Sequence, residues 1–236
     1  VPLSVLAIGA HPDDLEILCG GTLAKYAGRG DQVVMCHLTR GDKGHYRMPS
    51  DELAATRREE AQAAARVIGA ESLSLELDDN EVCDDLATRR LVIDVIRQAR
   101  PDVIITHAPH DTYHADHGRV SQLVLDASFD ASVPYIKTGH PHHDAVPAIY
   151  YMETILGLDF QPQFYVDVSQ TFDMKREMLV QHRSQLTWLK EHDDLDVLEQ
   201  VEIMTRFRGW QCGVAYAEGF IPCLRWPRVI PGSLLP

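Results

Sequence analysis

Two short segments carry most of the chemistry the sequence offers. The first is His11-Pro12-Asp13-Asp14, an imidazole and two carboxylates within four residues. The second runs from His107 to His117, with imidazoles at His107, His110, His114 and His117 and carboxylates at Asp111 and Asp116. His11 and Asp14 are three apart, so a turn opening a helix aims both at one point and sends Asp13 elsewhere. His114 and His117 form an H-x-x-H pair on a loop entering a helix. Taken singly, the first segment reads equally as an acidic helix start and the second as a solvated loop. Together they supply two imidazoles and a carboxylate, with His and Asp to spare. That donor set suits zinc with three protein ligands and an open position, and iron can replace it. An ion held so acidifies a bound water. A nearby carboxylate outside the ligand set takes the proton, and a further His stabilises the oxyanion or protonates the leaving group. The implied reaction is hydrolysis of an amide or ester. Spacing alone leaves open whether Asp13 or Asp14 is the ligand.

Both segments follow apolar runs that must bring them together. Leu3 to Gly9 reads as a strand buried on both faces, and so does Gln32 to Leu38. Gly20-Gly21-Thr22 leads into a helix reaching Gly28. Ser50 is placed to cap a long Ala-rich helix, Asp51 to Ile68, closed by Gly69. Ser72 to Leu77 is a third strand, Leu86 to Ala99 a helix ended by Pro101, and Val103 to Thr106 a fourth strand. A helix from His117 to about Phe129 follows. This alternation predicts an α/β fold, a Rossmann-like doubly wound, mostly parallel sheet in a single domain over 1–236. In such sheets ligands bind beyond the carboxyl ends of the strands, where both segments emerge. The second half is less regular. Ala148 to Met152, Phe164 to Val168 and Val214 to Ile221 read as strands. Phe172 to Trp188 and Val197 to Arg208 read as helices.

Composition narrows the function classes. The 236 residues are 45% apolar and 24% charged, which supports a substantial core without staples. A formal net charge of −13 gives no global basic footprint for nucleic acid and disfavours an anionic membrane surface. No run of 18 apolar residues is present, and Val1 to Ala10 lacks the basic flank of a secretory signal. The five cysteines include no C-x-x-C, so a disulfide framework is not expected, each Cys reads as a small core residue, and a cytoplasmic setting fits. No G-x-G-x-x-G follows the first strand, so a nucleotide-binding reading lacks its fingerprint.

The two segments resemble motifs of the PIG-L/LmbE-like N-acetylglucosamine deacetylases. His11-Pro12-Asp13-Asp14, with Glu16 and Gly20-Gly21-Thr22, is similar to that family's opening motif. His114-Ala115-Asp116-His117 resembles its second motif, with Ala115 where Pro is common. Arg57-Arg58-Glu59-Glu60-Ala61 and Tyr216-Ala217-Glu218-Gly219-Phe220 resemble two further segments, so the likeness covers nearly the whole chain. The resemblance implies His11, Asp14 and His117 as zinc ligands and Asp13 as general base. It implies His114 as the stabiliser of the tetrahedral intermediate or general acid, with Asp116 orienting and charging it, and Arg57 as a substrate contact. Its plain alternative is an Arg57–Glu60 pair on the helix surface. Thr112 stands where some members carry Tyr, and Tyr113 beside it points differently, which weakens any tyrosine-assisted step.

The resemblance implies removal of an acetyl group from an N-acetylglucosamine moiety, with the GlcNAc-malate type of bacillithiol synthesis closest, and a homo-oligomer, trimer or hexamer. Another N-acyl substrate, such as an antibiotic or chitooligosaccharide, is the first alternative. A non-catalytic metal- or sugar-binding module is the second. Loop Thr39 to Ser50, with Arg40, Asp42, Lys43, His45 and Arg47, reads as solvated or as a substrate lid with cationic contacts to an anionic aglycone. His140 to Asp144 reads as an exposed loop that can line the mouth of the site. His37 reads as packed. Trp188, Trp210 and Trp226 default to core packing, although each can stack on a sugar ring.

Overall fold

The computed structural model describes residues 1–236. Its first half alternates as the apolar pattern predicts: β1 (Ser4–Gly9), α1 (Asp14–Gly28), β2 (Gln32–Thr39), α2 (Ser50–Val67), β3 (Glu71–Leu77), α3 (Leu86–Ala99), β4 (Val103–Thr106) and α4 (Ala115–Asp130). After these come β5 (Ala148–Met152), β6 (Phe164–Asp167), α5 (Phe172–Leu179), α6 (Arg183–Asp193), α7 (Val197–Cys212) and β7 (Ala217–Pro222). One seven-stranded sheet has the order β3-β2-β1-β4-β5-β7-β6. The pairs from β3 to β5 are parallel, and β7 runs antiparallel to both its neighbours. The expected Rossmann-like, mostly parallel α/β sheet is therefore present. Alternate residues of β1 feed two cores. Leu6 and Ile8 pack with α3 and α4, while Val5 and Ala7 pack with Leu15 and Leu23 of α1 and Ala64 of α2.

This topology positions the two chemical segments. β1 is the middle one of the five parallel strands and pairs directly with β4, Ile8 opposite Thr106. His11 and His107 therefore leave the sheet side by side.

Several expectations are corrected. α1 begins at Asp14 rather than near the glycine pair, which sits in mid-helix. A Cβ on Gly21 would come 2.8 Å from Val168, so the pair admits a crossing segment. Ser50 does not cap α2; its hydroxyl donates to Asp42 Oδ2 at 2.8 Å, and Pro49 occupies the cap. The helix expected over Phe172 to Trp188 is two, broken at His182. The break has a cause: the His182 ring turns inward to 3.1 Å from Glu16, and Ser184 bonds the Glu60 carboxylate through N and Oγ. α7 runs on to Cys212 because Gly213, at φ +81°, caps it in the left-handed conformation, which delays β7 to Ala217. Cys83 and Cys212 are exposed, so only Cys19, Cys36 and Cys223 are core residues; all five are free.

Two buried polar groups fix testable energetics. Lys175 and Glu218 form a buried pair at 2.5 Å, and Glu218 also accepts from the backbone N–H of Gly21 and Thr22. Lys175→Met leaves that carboxylate without its cation, so unfolding free energy should drop by about 3–5 kcal/mol and Tm by roughly 10 °C. A calorimetric change below about 1 kcal/mol would refute this. His37 is buried, and burial pushes its pKa down to about 4. Below about pH 6.5 the unfolded chain binds a proton that folded His37 refuses. Stability is then lost as pH falls from 6.5 toward 4, by an amount on the order of 3 kcal/mol. Urea unfolding of His37→Leu against wild type should show the variant gaining ground across that window; parallel curves would sink the idea.

Candidate metal centre and active site

Asp14 opens α1 and sits at the centre of the cluster. Its Oδ2 accepts from the backbone N–H of Ala10 at 3.0 Å and of His11 at 2.7 Å. His107 Nε2 lies 3.1 Å from the same oxygen. Two candidate ligand nitrogens face this carboxylate: His11 Nδ1 at 3.5 Å from Oδ2 and His117 Nε2 at 3.4 Å from Oδ1. These spacings approach the roughly 3.3 Å edge of a tetrahedron of ligands about 2.0 Å from zinc.

The far nitrogen of each ring has a carboxylate. His11 Nε2 faces Asp116 Oδ2 at 3.3 Å, and His117 Nδ1 faces Asp111 Oδ2 at 3.0 Å. A carboxylate behind an imidazole fixes its tautomer and turns the other nitrogen's lone pair forward, the usual support of a metal-ligating histidine. His11, Asp14 and His117 therefore fit a divalent ion. The trios whose donor atoms all lie within 4.8 Å of one another are His11-His114-His117 and Asp14-His107-His117, so the implied ligand set draws on both. His117 belongs to both.

The charges show the same demand for a cation. Burial disfavours the His11 and His117 cations, yet the surrounding carboxylates outweigh it, lifting His11 to about 10 and His117 to about 9. Asp14 is held well below its ordinary value: burial opposes this, and the neighbouring imidazoles overcome it. His107 goes the other way, down to about 4, because burial and the His117 charge dominate. The His11 and His117 imidazoles thus hold positive charge near neutral pH, the sign of charge that the surrounding carboxylates favour.

Asp13 is set apart. Its backbone sits at φ +127°, a region that side-chain-bearing residues rarely adopt and that costs about 1–3 kcal/mol. The turn swings its carboxylate away from that of Asp14 and toward Arg57, whose Nη2 lies 3.1 Å from Asp13 Oδ1. Burial raises the Asp13 carboxyl and Arg57 pulls it back, leaving it at about 6. Arg57 is itself buried and also donates to the carbonyls of Pro12 and Gly41. It is no surface partner of Glu60, which binds Ser184 instead. Gly41 must be glycine here: φ is +70°, and a Cβ would sit 2.7 Å from the Arg57 guanidinium.

His114 caps α4. Its Nδ1 accepts from the backbone N–H of Asp116 at 3.2 Å, which leaves the ring proton of the neutral form on Nε2. Asp116 Oδ2 is 3.8 Å from His114 Nδ1 but 3.3 Å from His11 Nε2, and it accepts from Asn80 N at 2.8 Å. Asp116 thus orients His11 more directly than His114.

His11, Asp13, Asp14, Arg57, His114 and His117 all line one cleft of about 250 Å³. These six candidate residues are therefore brought to one place, with Asp116 behind His11. The Thr39 to Ser50 loop also reaches it through Lys43 and Gly44, and Trp188 leaves the core to join its wall. Trp210 and Trp226 are exposed elsewhere. His140 to Asp144 does not line the mouth: His143 Nε2 meets the Pro101 carbonyl and His140 meets Asp94, beside residues that precede β4. Sequence reasoning gave no role to His107, Asp111 or Asp79. The first two were detectable, since both lie just past β4 as His11 lies past β1.

The family model described as PIG-L, GlcNAc-PI de-N-acetylase, matches residues 6–128, which hold both chemical segments. Diacetylchitobiose deacetylase of Thermococcus kodakarensis is 28% identical over 243 residues, covering 98% of this chain and 84% of that protein. The N,N'-diacetylchitobiose deacetylase structure from Pyrococcus horikoshii superposes with a TM-score of 0.82 at 27% identity, covering 93% of this chain and 83% of that one. The 4-carboxy-2-hydroxymuconate hydratase of Pseudomonas putida KT2440 gives 0.84 at 25% identity, covering 98% and 99%. With the family match spanning more than half the chain and its motif residues gathered in one cleft, this protein belongs to the PIG-L family.

Proposed function

We propose that this protein is a metal-dependent N-deacetylase that removes an acetyl group from an N-acetylglucosamine moiety. The observation that carries this reading is the division of labour between consecutive carboxylates. Asp14 faces two carboxylate-backed imidazoles, while Asp13 is turned to Arg57. His11 through Nδ1, Asp14, and His117 through Nε2 would hold the ion. Zinc, or iron in its place, supplies Lewis acidity toward the amide carbonyl and toward water when bound. Asp13 takes the attacking water's proton on its carboxylate, and Arg57 keeps that carboxylate ionised near neutral pH. His114 donates a hydrogen bond from Nε2–H to the developing oxyanion, and the proton taken up by Asp13 passes to the departing amine as acetate leaves. Asp116 and Asp111 hold the two ligand imidazoles in the required tautomers.

A second reading is hydration rather than hydrolysis, favoured by the near-complete overlap with the Pseudomonas putida hydratase. A water-activating centre with an adjacent base serves either reaction. Against it, a carboxylated substrate needs free counter-charges. The two permanent cations lining the cleft are engaged, Arg57 by Asp13 and Lys43 by Glu81. Acetate release from N,N'-diacetylchitobiose and loss of 4-carboxy-2-hydroxymuconate absorbance should be assayed together. Turnover of the second alone overturns the deacetylase reading.

Three further outcomes are expected. Wild type should carry about one zinc or iron per chain by mass spectrometry, and His117→Ala should lose it. Asp13→Asn should keep the ion and lose turnover by about 10²–10⁴-fold; loss of metal in Asp13→Asn would show that the two aspartates have been assigned the wrong way round. Asp111→Asn should weaken metal affinity by about 10–100-fold in chelator competition, because it removes only the far partner of His117. An unchanged affinity would remove Asp111 from the support of the site.

A further inference from the structure

Helix α7 presents two opposite stripes. Val197, Val201, Thr205 and Arg208 face inward and are buried. Ile203, Phe207 and Trp210, spaced four and three residues apart, point the other way. They are 59%, 50% and 87% exposed. Beyond Gly213 the chain folds back, Val214 N donating to the Gly209 carbonyl at 3.0 Å, and Val214 and Ala215 extend the same surface. With Arg206, these five residues line a groove of about 560 Å³. The inner stripe is the one the fold needs, so the outer stripe is apolar without a partner in its own chain.

Its composition is that of an interface core, where aromatic residues and arginine are enriched and carboxylates depleted. The groove has two aromatic rings, one guanidinium and no carboxylate, in a chain with 35 Asp and Glu and a net charge of −13. Two copies of so acidic a chain repel, and a surface without carboxylates is where they approach at least cost. A basic partner finds no carboxylate here to pair with, and an anionic membrane repels the chain. The area fits a second copy as well. A standard interface covers about 800 Å² on each partner, a little over half of it apolar. An aromatic side chain carries about 150–250 Å². At their exposures Trp210 and Phe207 offer roughly 300 Å², and Ile203, Val214 and Ala215 bring the apolar total to on the order of 450 Å².

We propose that the outer face of α7 is the contact surface for a second copy of this chain, in a two-fold pair that lays α7 against α7. Trp210 of each copy fills the groove of the other, and the same residues serve both sides of the contact. A two-fold pair allows assemblies of two copies or multiples of two, and it does not build a trimer.

The test is sedimentation equilibrium of the full chain. Wild type should have the mass of two chains or a multiple of two. Trp210→Lys and Ile203→Lys should each weaken the pair about 30-fold or more and so halve the mass. Both side chains are exposed in the single copy, so circular dichroism should show both variants folded. Trp226→Ala, which removes a similarly exposed indole outside the groove, should leave the mass alone. A two-fold axis sets the middle of the stripe against itself. Phe207→Lys and Phe207→Glu should therefore each stay unpaired alone and pair when mixed. Raising the salt concentration should tighten the wild-type pair, because it screens the repulsion between two acidic copies. A wild type of one chain or three, a mass unmoved by Trp210→Lys, mixed Phe207 variants that stay apart, or a pair loosened by salt overturns the proposal.

Discussion

Consecutive carboxylates repel one another and, in regular backbone, do not converge on one point. The site depends on how that constraint is met. The backbone at Asp13 takes a strained positive φ, and two following features hold it there. Asp14 Oδ2 collects the N–H groups of Ala10 and His11, tying the strained turn back onto the end of β1. Arg57 holds Asp13 and the Pro12 carbonyl from the other side. The strain is maintained by the interactions that define the two roles, so neither aspartate can be exchanged for the other without undoing the turn.

From that turn the rest of the architecture follows outward. Arg57 reaches Asp13 only because Gly41 leaves room and because Asp79 and Asp42 brace the loop, Asp79 accepting from Gly41 N and Asp42 Oδ1 from Asp79 N. The ligand-facing imidazoles are steadied from behind by Asp111 and Asp116, both on the segment after β4. Carboxylates therefore surround the imidazoles on two levels. The surplus of negative charge makes the pocket a receptor for a cation before any particular metal is considered.

The first half of the fold was legible because each strand and helix there is set by local pattern: continuous apolar runs in β1, β2 and β4, an Ala-rich α2, a glycine stop. Both motif segments were legible for the same reason, since strand ends announce where ligands bind. What the sequence hid depends on partners far along the chain. The break at His182 exists because Glu16, 166 positions earlier, draws the ring inward. The loop's cations also have acidic partners that no local pattern announces, Arg40 with Asp78, Lys43 with Glu81 and Arg47 with Glu191. Asp116 was expected to serve His114, but adjacency in sequence gave way to the position of His11 across the sheet edge.

The strand order carries a last consequence for how the chain is made. β7 comes last of the seven strands along the chain, yet it lies between β5 and β6. It also delivers Glu218 to the N–H groups of Gly21 and Thr22 in α1, the helix that begins with Asp14. A nascent chain can assemble the parallel layer early, but β6 has no place to dock, and α1 lacks this clasp, until Ala217 to Pro222 emerges. The sheet is closed by the strand that comes last among the seven along the chain, so the site's scaffold is complete only once that strand is inserted.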